Sequence, residues 1–290
     1  MGSPFQYGGQ AVIEGVMMRG PDSRAVAVRK PDQSIVIDEK KVGSVTKKIP
    51  FLKWPLVRGV IVLIESLAMG IEALSFSANQ AVDDEEEQLT AKEMIITIVL
   101  SLGLAILLFA VLPTAAAHLL IFLAPGALVQ NLIEGFFRIA VFLIYVVAIG
   151  RLADIKRVFQ YHGAEHKVIN AYEAGDELVA DRVQRYSTLH PRCGTSFLLI
   201  VMVISILIFS LLGQQVLWWR ILSRVLLLPV VAGISYELVK LSGKYAATPL
   251  CRILIAPGMW LQKLTTSVPD DGQVEVAISA FGAVQKEGNK

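Results

Sequence analysis

Cysteine is nearly absent from this 290-residue chain, with Cys193 and Cys251 alone, and histidine is scarce at four residues. Two thiols build no disulfide framework, which excludes a small disulfide-stapled fold, and both fall in segments that the charge pattern below assigns to a reducing cytoplasm. Net charge is also small, because 27 Lys and Arg against 25 Asp and Glu leave +2. Such a chain lacks the basic field that nucleic acid requires, so no nucleic-acid partner is expected. The first fifty residues are polar and turn-rich, and no cleavable signal peptide is expected there.

What the chain has in excess is apolar surface. Hydrophobic residues make up 54% of it, and its mean hydropathy is +0.58, too apolar for an ordinary soluble domain. The expected fold class is mainly α: a polytopic membrane helical bundle of about four spans plus an amphipathic helix, with a small N-terminal β-rich cytoplasmic module. The lipid bilayer is the partner this implies. The expected divisions are 1–53 for the β-rich module, 54–93 for the amphipathic helix and an acidic linker, and 94–150 for a first membrane hairpin. Residues 151–195 form a His/Cys loop, 196–241 a second hairpin, and 242–290 a tail.

Four stretches are long enough, or nearly so, to cross a hydrocarbon core of about 30 Å: Met94 to Leu112, Leu132 to Gly150, Phe197 to Leu217 and Ile221 to Leu241. Pro113 ends the first, and Ala115 to Leu123 either extends it past a kink or re-enters; His118 there reads as a packing or interface residue. Pro55 to Ser77 carries Arg58, Glu65 and Glu72 as one polar stripe, which suits an interfacial or bundle-packed helix better than a lone span. Asp83 to Glu87 reads as a solvated acidic linker. Eleven Lys and Arg precede Met94, none lies between Leu112 and Asn131, seven lie between Arg151 and Thr195, one between Gly213 and Arg220, and five after Ser242. Four spans with both termini in the cytoplasm satisfy the positive-inside rule at every loop and place the protein in the cell's inner membrane.

The N-terminal region reads as short strands over Gln10 to Met18, Arg24 to Arg29 and Ser34 to Glu39. Its glycines serve turns and bulges or allow a close backbone approach to another element. In the tail, Asp270 and Asp271 precede Val274 to Ala283, which predicts a capped helix covering the β module. Trp260, Leu261 and Leu264 suggest an interfacial segment.

Chemistry concentrates in Tyr161 to Glu173. On a helix, His162 and His166 stand one turn apart and Glu173 lies on the same stripe, with Ile155, Phe159 and Ile169 making that face partly apolar. His-x-x-Glu-His is the inverted zincin order, in which two imidazoles hold a divalent cation and the intervening Glu165 serves as general base. The same spacing also arises in hydrogen-bonded interhelical contacts, and Glu165 sits about 60° off the histidine stripe. A second cluster, His190 and Cys193, precedes the third span, where a thiolate and an imidazole suit zinc, and the competing reading is a turn with a buried cysteine. Glu237, near the cytoplasmic end of the last span, needs a partner: Lys240, Arg138 or the metal. Two geometries follow. His162, His166 and either Glu173 or Glu237 leave an open water position, with Glu165 taking its proton; His162, His166, His190 and Cys193 close a structural site.

Four segments, Gly8 to Pro21, Tyr161 to Glu173, His190-Pro191-Arg192-Cys193-Gly194-Thr195 and Pro257-Gly258-Met259-Trp260-Leu261-Gln262-Lys263-Leu264-Thr265-Thr266, together resemble the YqhQ-like family of bacterial membrane proteins that carry a domain of unknown function. The resemblance implies a metal-dependent enzyme without an established substrate.

The leading expectation is therefore a zinc-dependent hydrolase at the cytoplasmic membrane face, acting on a membrane-associated peptide or lipid-like substrate. The alternative is a membrane scaffold or assembly factor whose polar cluster, with or without a structural metal, only organises the fold. A transporter is weaker, since the spans carry few charges beyond Glu134, Arg138 and Glu237 and show no paired broken helices.

Overall fold

The computed structural model describes residues 7–43, 50–82, 88–120, 122, 126–213, 216–244 and 248–288. The acidic run from Asp83 to Glu87 and the side chain of Cys251 lie outside the described residues.

Four strands, β1 (Gly8–Val12), β2 (Gly15–Arg19), β3 (Ser23–Arg29) and β4 (Ile35–Lys41), form an antiparallel meander in chain order. The single strand expected over Gln10 to Met18 is instead two. Val12 pairs with Gly15, and Glu14 takes a left-handed conformation at φ 50° to reverse the chain. Only Glu14-Gly15 interrupts the apolar run there, and a Glu-Gly pair is a weaker hairpin signal than Asn-Gly or Asp-Gly.

The strands alternate as a pleated sheet must, but both faces are apolar. Val16, Met18, Ala25 and Ala27 face two helices, α5 (Ala153–Glu173) and α10 (Asp271–Gly288), burying Tyr161, Ala164, Val168, Val274, Ala277 and Phe281. Val12, Met17, Val26 and Val28 face α1 (Val57–Gln80) through Ala73. The sheet is thus the middle of three layers. As the sequence predicts, α10 starts with a reciprocal cap: Gln273 N donates to Asp270 Oδ1 at 2.8 Å and Asp270 N to Gln273 Oε1 at 3.0 Å, which satisfies two otherwise free donors.

The rest is helical. A continuous helix, Ala91–Leu119, comprises α2 (Ala91–Ile106), a π turn (Leu107–Val111) and α3 (Leu112–Leu119). Pro113 does not end it. Its missing N–H frees the Phe109 carbonyl, which accepts instead from Arg138 Nε at 3.0 Å, so the helix passes the proline at no cost in unsatisfied backbone. Then come α4 (Ala127–Ile149), the short α6 (Ala180–Val183), α7 (Gly194–Ser210), α8 (Leu217–Lys244) and α9 (Pro249–Thr265).

Among the described residues, four helices are long and apolar enough to cross a membrane: Val57–Gln80, Ala91–Leu119, Ala127–Ile149 and Leu217–Leu241. This set differs from the expected one. The stretch expected over Phe197 to Leu217 is the 17-residue helix Gly194–Ser210, about 26 Å long, because the chain turns at Gly213 with φ 70°. Conversely α1 has the length of a span, yet its second half belongs to the sheet: Ile13 N donates to Ser77 Oγ at 3.2 Å, and Arg24 donates to Met69 O at 3.1 Å and pairs with Glu72. Its first half meets α8, where a Cβ on Gly59 would lie 3.0 Å from Gly233 Cα. Only glycine permits that approach.

Candidate metal centre

Helix α5 holds His162 and His166 one turn apart, and Cys193 reaches them from the start of α7. The ligand atoms of these three residues all lie within 4.8 Å of one another, the one such group among the described residues. His162 Nε2 stands 3.2 Å from Cys193 Sγ. With zinc–nitrogen bonds of about 2.0 Å and zinc–sulfur bonds of about 2.3 Å, the edge of a tetrahedral site spans roughly 3.5 Å. The observed spacing is close to that edge.

The opposite ring nitrogens are fixed. Thr265 O lies 2.9 Å from His162 Nδ1 and Thr188 O lies 2.6 Å from His166 Nδ1. A carbonyl only accepts, so both imidazoles carry their proton on Nδ1 and present a lone pair at Nε2. Backbone carbonyls that orient imidazoles in this way are the usual outer support of a metal ligand. Cys193 caps α7, with Thr195 N 3.4 Å and Thr195 Oγ1 3.1 Å from its sulfur; a helix N-terminus favours negative charge there. Cys193 and His166 are buried while His162 is partly exposed, which leaves one approach from outside.

Glu165 turns away from this triad, toward β1. A Cβ on Gly9 would meet Met17 O at 2.5 Å and Glu165 Cδ at 3.0 Å, so the glycine serves a close approach and not merely a turn. Burial pushes the Glu165 carboxyl up to about 7, opposed by His162 and by a hydrogen bond from the Gly9 backbone. The acid is therefore fully buried and poised near neutrality.

The other proposed donors lie apart. Glu173, at the end of α5, is held by the Arg192 guanidinium, and its Oε2 is 3.6 Å from His190 Nε2. Glu237 is not near the histidines: Arg58 grips both of its oxygens at 2.6 Å, a bidentate pair between α1 and α8 in place of Lys240, Arg138 or a metal. His190 sits beside His166, with ring centroids 5.7 Å apart against 4.4 Å for His162 and His166, but outside the compact group. Its buried Nε2 has no hydrogen-bond partner; the ion-pair distance to Glu173 is too long for one. Burial, Arg192 and His166 keep the His190 ring neutral, down to about 4.

Sequence reasoning missed the supports. Gln262 is fully buried and clamps His190: it accepts from His190 N at 2.9 Å and donates to His190 O at 2.9 Å and Ser196 Oγ at 3.0 Å. Gly163 lets Ser267 O come so near that a Cβ would sit 2.1 Å from it. Both lie in the motif segments, yet Trp260 and Leu264 drew attention to the other, exposed face of α9; they are 73% and 43% exposed where Gln262 is 0%. Carbonyl supports such as Thr188 and Thr265 carry no side-chain signal at all.

Gly9, the α5 histidines, the His190-to-Thr195 turn and the Gln262–Thr265 stretch thus converge from all four segments that carry the family resemblance. A family model described as "Protein of unknown function (DUF1385)" matches residues 54–287. The chain is 38% identical over 298 residues to "Uncharacterized protein YqhQ" of Bacillus subtilis (strain 168), covering 96% of this chain and 92% of that one. No solved structure matches the chain. With nearly its whole length aligned and its motifs gathered at one place, the chain belongs to the YqhQ-like family defined by the DUF1385 domain.

Proposed function

We propose that the protein is a metal-dependent enzyme, with His162, His166 and Cys193 as the protein ligands of a divalent cation, zinc by the chemistry of the donors. The observation that carries this reading is the triad itself: three soft or borderline donors within 4.8 Å, both imidazoles held at Nδ1 by backbone carbonyls. Three protein ligands are the pattern of a catalytic rather than a closed site. A bound cation supplies Lewis acidity toward an oxygen at its fourth position, and hydrolysis is the natural use of that.

The chain's own residues do the rest. His162 and His166 orient their Nε2 lone pairs; Cys193 contributes charge; His190, neutral and without a partner at Nε2, offers a polar group to whatever occupies the open side. Glu165 faces β1 rather than the triad, and its buried carboxyl, pushed up to about 7, lies behind the ligand helix. The centre lies among α5, the start of α7 and the end of α9, and α7 is an apolar helix, which favours a membrane-associated peptide or lipid-like substrate. Positive-inside counting puts this face in the cytoplasm.

The test is metal content of purified protein together with the spectrum of cobalt-loaded protein. We expect about one metal per chain, lost in Cys193→Ser and His162→Ala, and a sulfur-to-metal charge-transfer band that needs Cys193. Full metal retention in both variants overturns the reading.

A second reading, a scaffold whose polar cluster only fastens the loop, draws on contacts that need no metal. Lys167 Nζ donates to Gln184 O at 2.6 Å and Tyr186 O at 2.8 Å, and Asn170 Nδ2 to Ser187 O and Leu189 O. These hold the loop onto α5 by themselves. Metal that cannot be removed without unfolding supports this alternative.

A further inference from the structure

The span-capable helices contain a second polar cluster, remote from the metal triad. Glu134 of α4 accepts from Arg138 Nη2 at 2.7 Å, Arg220 Nε at 2.9 Å, Arg224 Nε at 3.1 Å and Thr114 Oγ1 at 3.1 Å. Asn131 Oδ1 accepts from Arg220 at 3.2 Å and Arg224 at 2.8 Å, and the Arg224 guanidinium lies over the Phe209 ring at 4.3 Å. The arginine side chains are 9%, 4% and 4% exposed and that of Glu134 is 2% exposed.

Hydrogen bonds are well supplied here, but charge is not. Three guanidiniums against one carboxylate leave an excess of two positive charges, and arginine does not deprotonate to relieve it. Along these helices Glu134 is the only acid between Glu93 and Asp154, and none lies between Asp181 and Glu237; Glu65 of the neighbouring α1 has an interaction of its own. Helix α1 meets α8 at Gly233 and runs from there to the sheet, and its Glu72 is spent on Arg24 and Lys40. Uncompensated charge among apolar helices is costly and marks a ligand or ion site.

A second observation points the same way. Among the described residues, the buried side-chain atoms Gln130 Nε2 and His118 Nδ1 have no hydrogen-bond partner. Gln130 precedes Glu134 by one turn of α4, and His118 follows Thr114 by one turn of α3. Because Thr114 binds Glu134 across the α3–α4 hairpin, both orphaned groups lie on the cluster's own faces in the next layer. Gln130 is 3% exposed. Trp218 and Trp219, 67% and 42% exposed at the start of α8, mark an interface level. Arg220 and Arg224 lie within about 9 Å of it along the helix.

We propose that Arg138, Arg220 and Arg224, with Gln130 and His118 in the adjoining layer, bind a phosphate group, either free or as the headgroup of an anionic lipid in the leaflet nearer α8's first turn. Guanidinium forks match phosphate oxygens, and the two groups without partners add the remaining donors.

The experiment is thermal unfolding of delipidated protein in detergent with added phosphatidylglycerol, phosphatidylcholine of the same acyl chains, or inorganic phosphate. The wild type should gain about 4 °C or more from phosphatidylglycerol or phosphate over phosphatidylcholine. Protection by phosphate as good as by phosphatidylglycerol assigns a free anion; protection by the lipid alone assigns a headgroup. Gln130→Glu, which puts a carboxylate oxygen where the amide nitrogen has no partner among the described residues, should cut the protection by at least half. No protection of the wild type, or undiminished protection in Gln130→Glu, overturns the proposal. If that variant does not fold, Arg220→Gln is read by the same criterion. Phosphorus analysis of the wild type after detergent exchange is independent of both: phosphorus retained near one per chain supports the site, and none opposes it.

Discussion

The two polar clusters of this protein are built to opposite ends. At the His162, His166 and Cys193 centre, the Nδ1 hydrogens of both imidazoles are turned outward onto backbone carbonyls, and the Nε2 atoms face inward. Around Glu134, acceptors are used up and positive charge is what remains. In each place the group left over after internal pairing gives the sign of the ligand we propose: a cation for the first, an anion for the second.

The sharpest way to separate the clusters is to remove the carboxylate that organises the second. Glu134→Gln leaves three arginines without an opposing charge and should cost about 3–5 kcal/mol, seen as failure to purify a monodisperse protein or a large drop in thermal stability, with metal content per folded chain unchanged. Glu237→Gln is the control. It also breaks an arginine pair, but one whose side chains are both 27% exposed, and should cost about 1 kcal/mol or less.

Next in size is the clamp on His190. Gln262→Leu strands the buried His190 N–H and removes one donor each from the Ser196 hydroxyl and from the His190 carbonyl, which keeps Cys193 N at 3.3 Å; it is expected to cost about 1–3 kcal/mol, measured by thermal unfolding. An unchanged midpoint would contradict the clamp.

A pH series tests the metal centre's electrostatics in metal-free protein. Glu165 has a folded value of about 7 against an ordinary 4.5, so the folded state holds its proton longer and stability falls as pH rises through that window. His190 is displaced the other way, from 6.5 to about 4. There the folded state refuses a proton that the unfolded chain accepts, and stability rises with pH. The two slopes oppose each other. Glu165→Gln should therefore convert a nearly flat profile into one that climbs with pH, by on the order of 2 kcal/mol; a profile unchanged by the substitution contradicts the burial argument. The smallest effect is expected for Arg157→Ala. Its bidentate contact with Glu14 spans 2.5 Å at each oxygen, but Arg157 is half exposed, so a loss of about 1 kcal/mol or less should follow.

Much of this arrangement could be read from the chain before folding. Helical spacing put His162 and His166 on one face, the Asp270 cap predicted the helix over the sheet, and the late approach of Cys193 followed from its place before an apolar helix. What stayed hidden depends on tertiary structure. The turn at Ile13–Glu14 is marked only by Glu14 and Gly15, a weak hairpin signal inside an apolar run. Arg220 counted as a loop charge until α8 proved to start at Leu217, and Arg224 drew no notice because its partners, Glu134 and Asn131, lie on another helix. Glu237 looked available because its partner, Arg58, is 179 residues away. Gly9 looked like turn chemistry because its reason, the Glu165 carboxyl, lies on another element.

The most direct test of the central claim is elemental analysis of purified protein across four forms: wild type, His166→Ala, Cys193→Ser and His190→Ala. The account predicts about one zinc per chain in the wild type and in His190→Ala, and near-complete loss in the other two. Equal metal in all four, or none in the wild type after zinc is supplied, would contradict it.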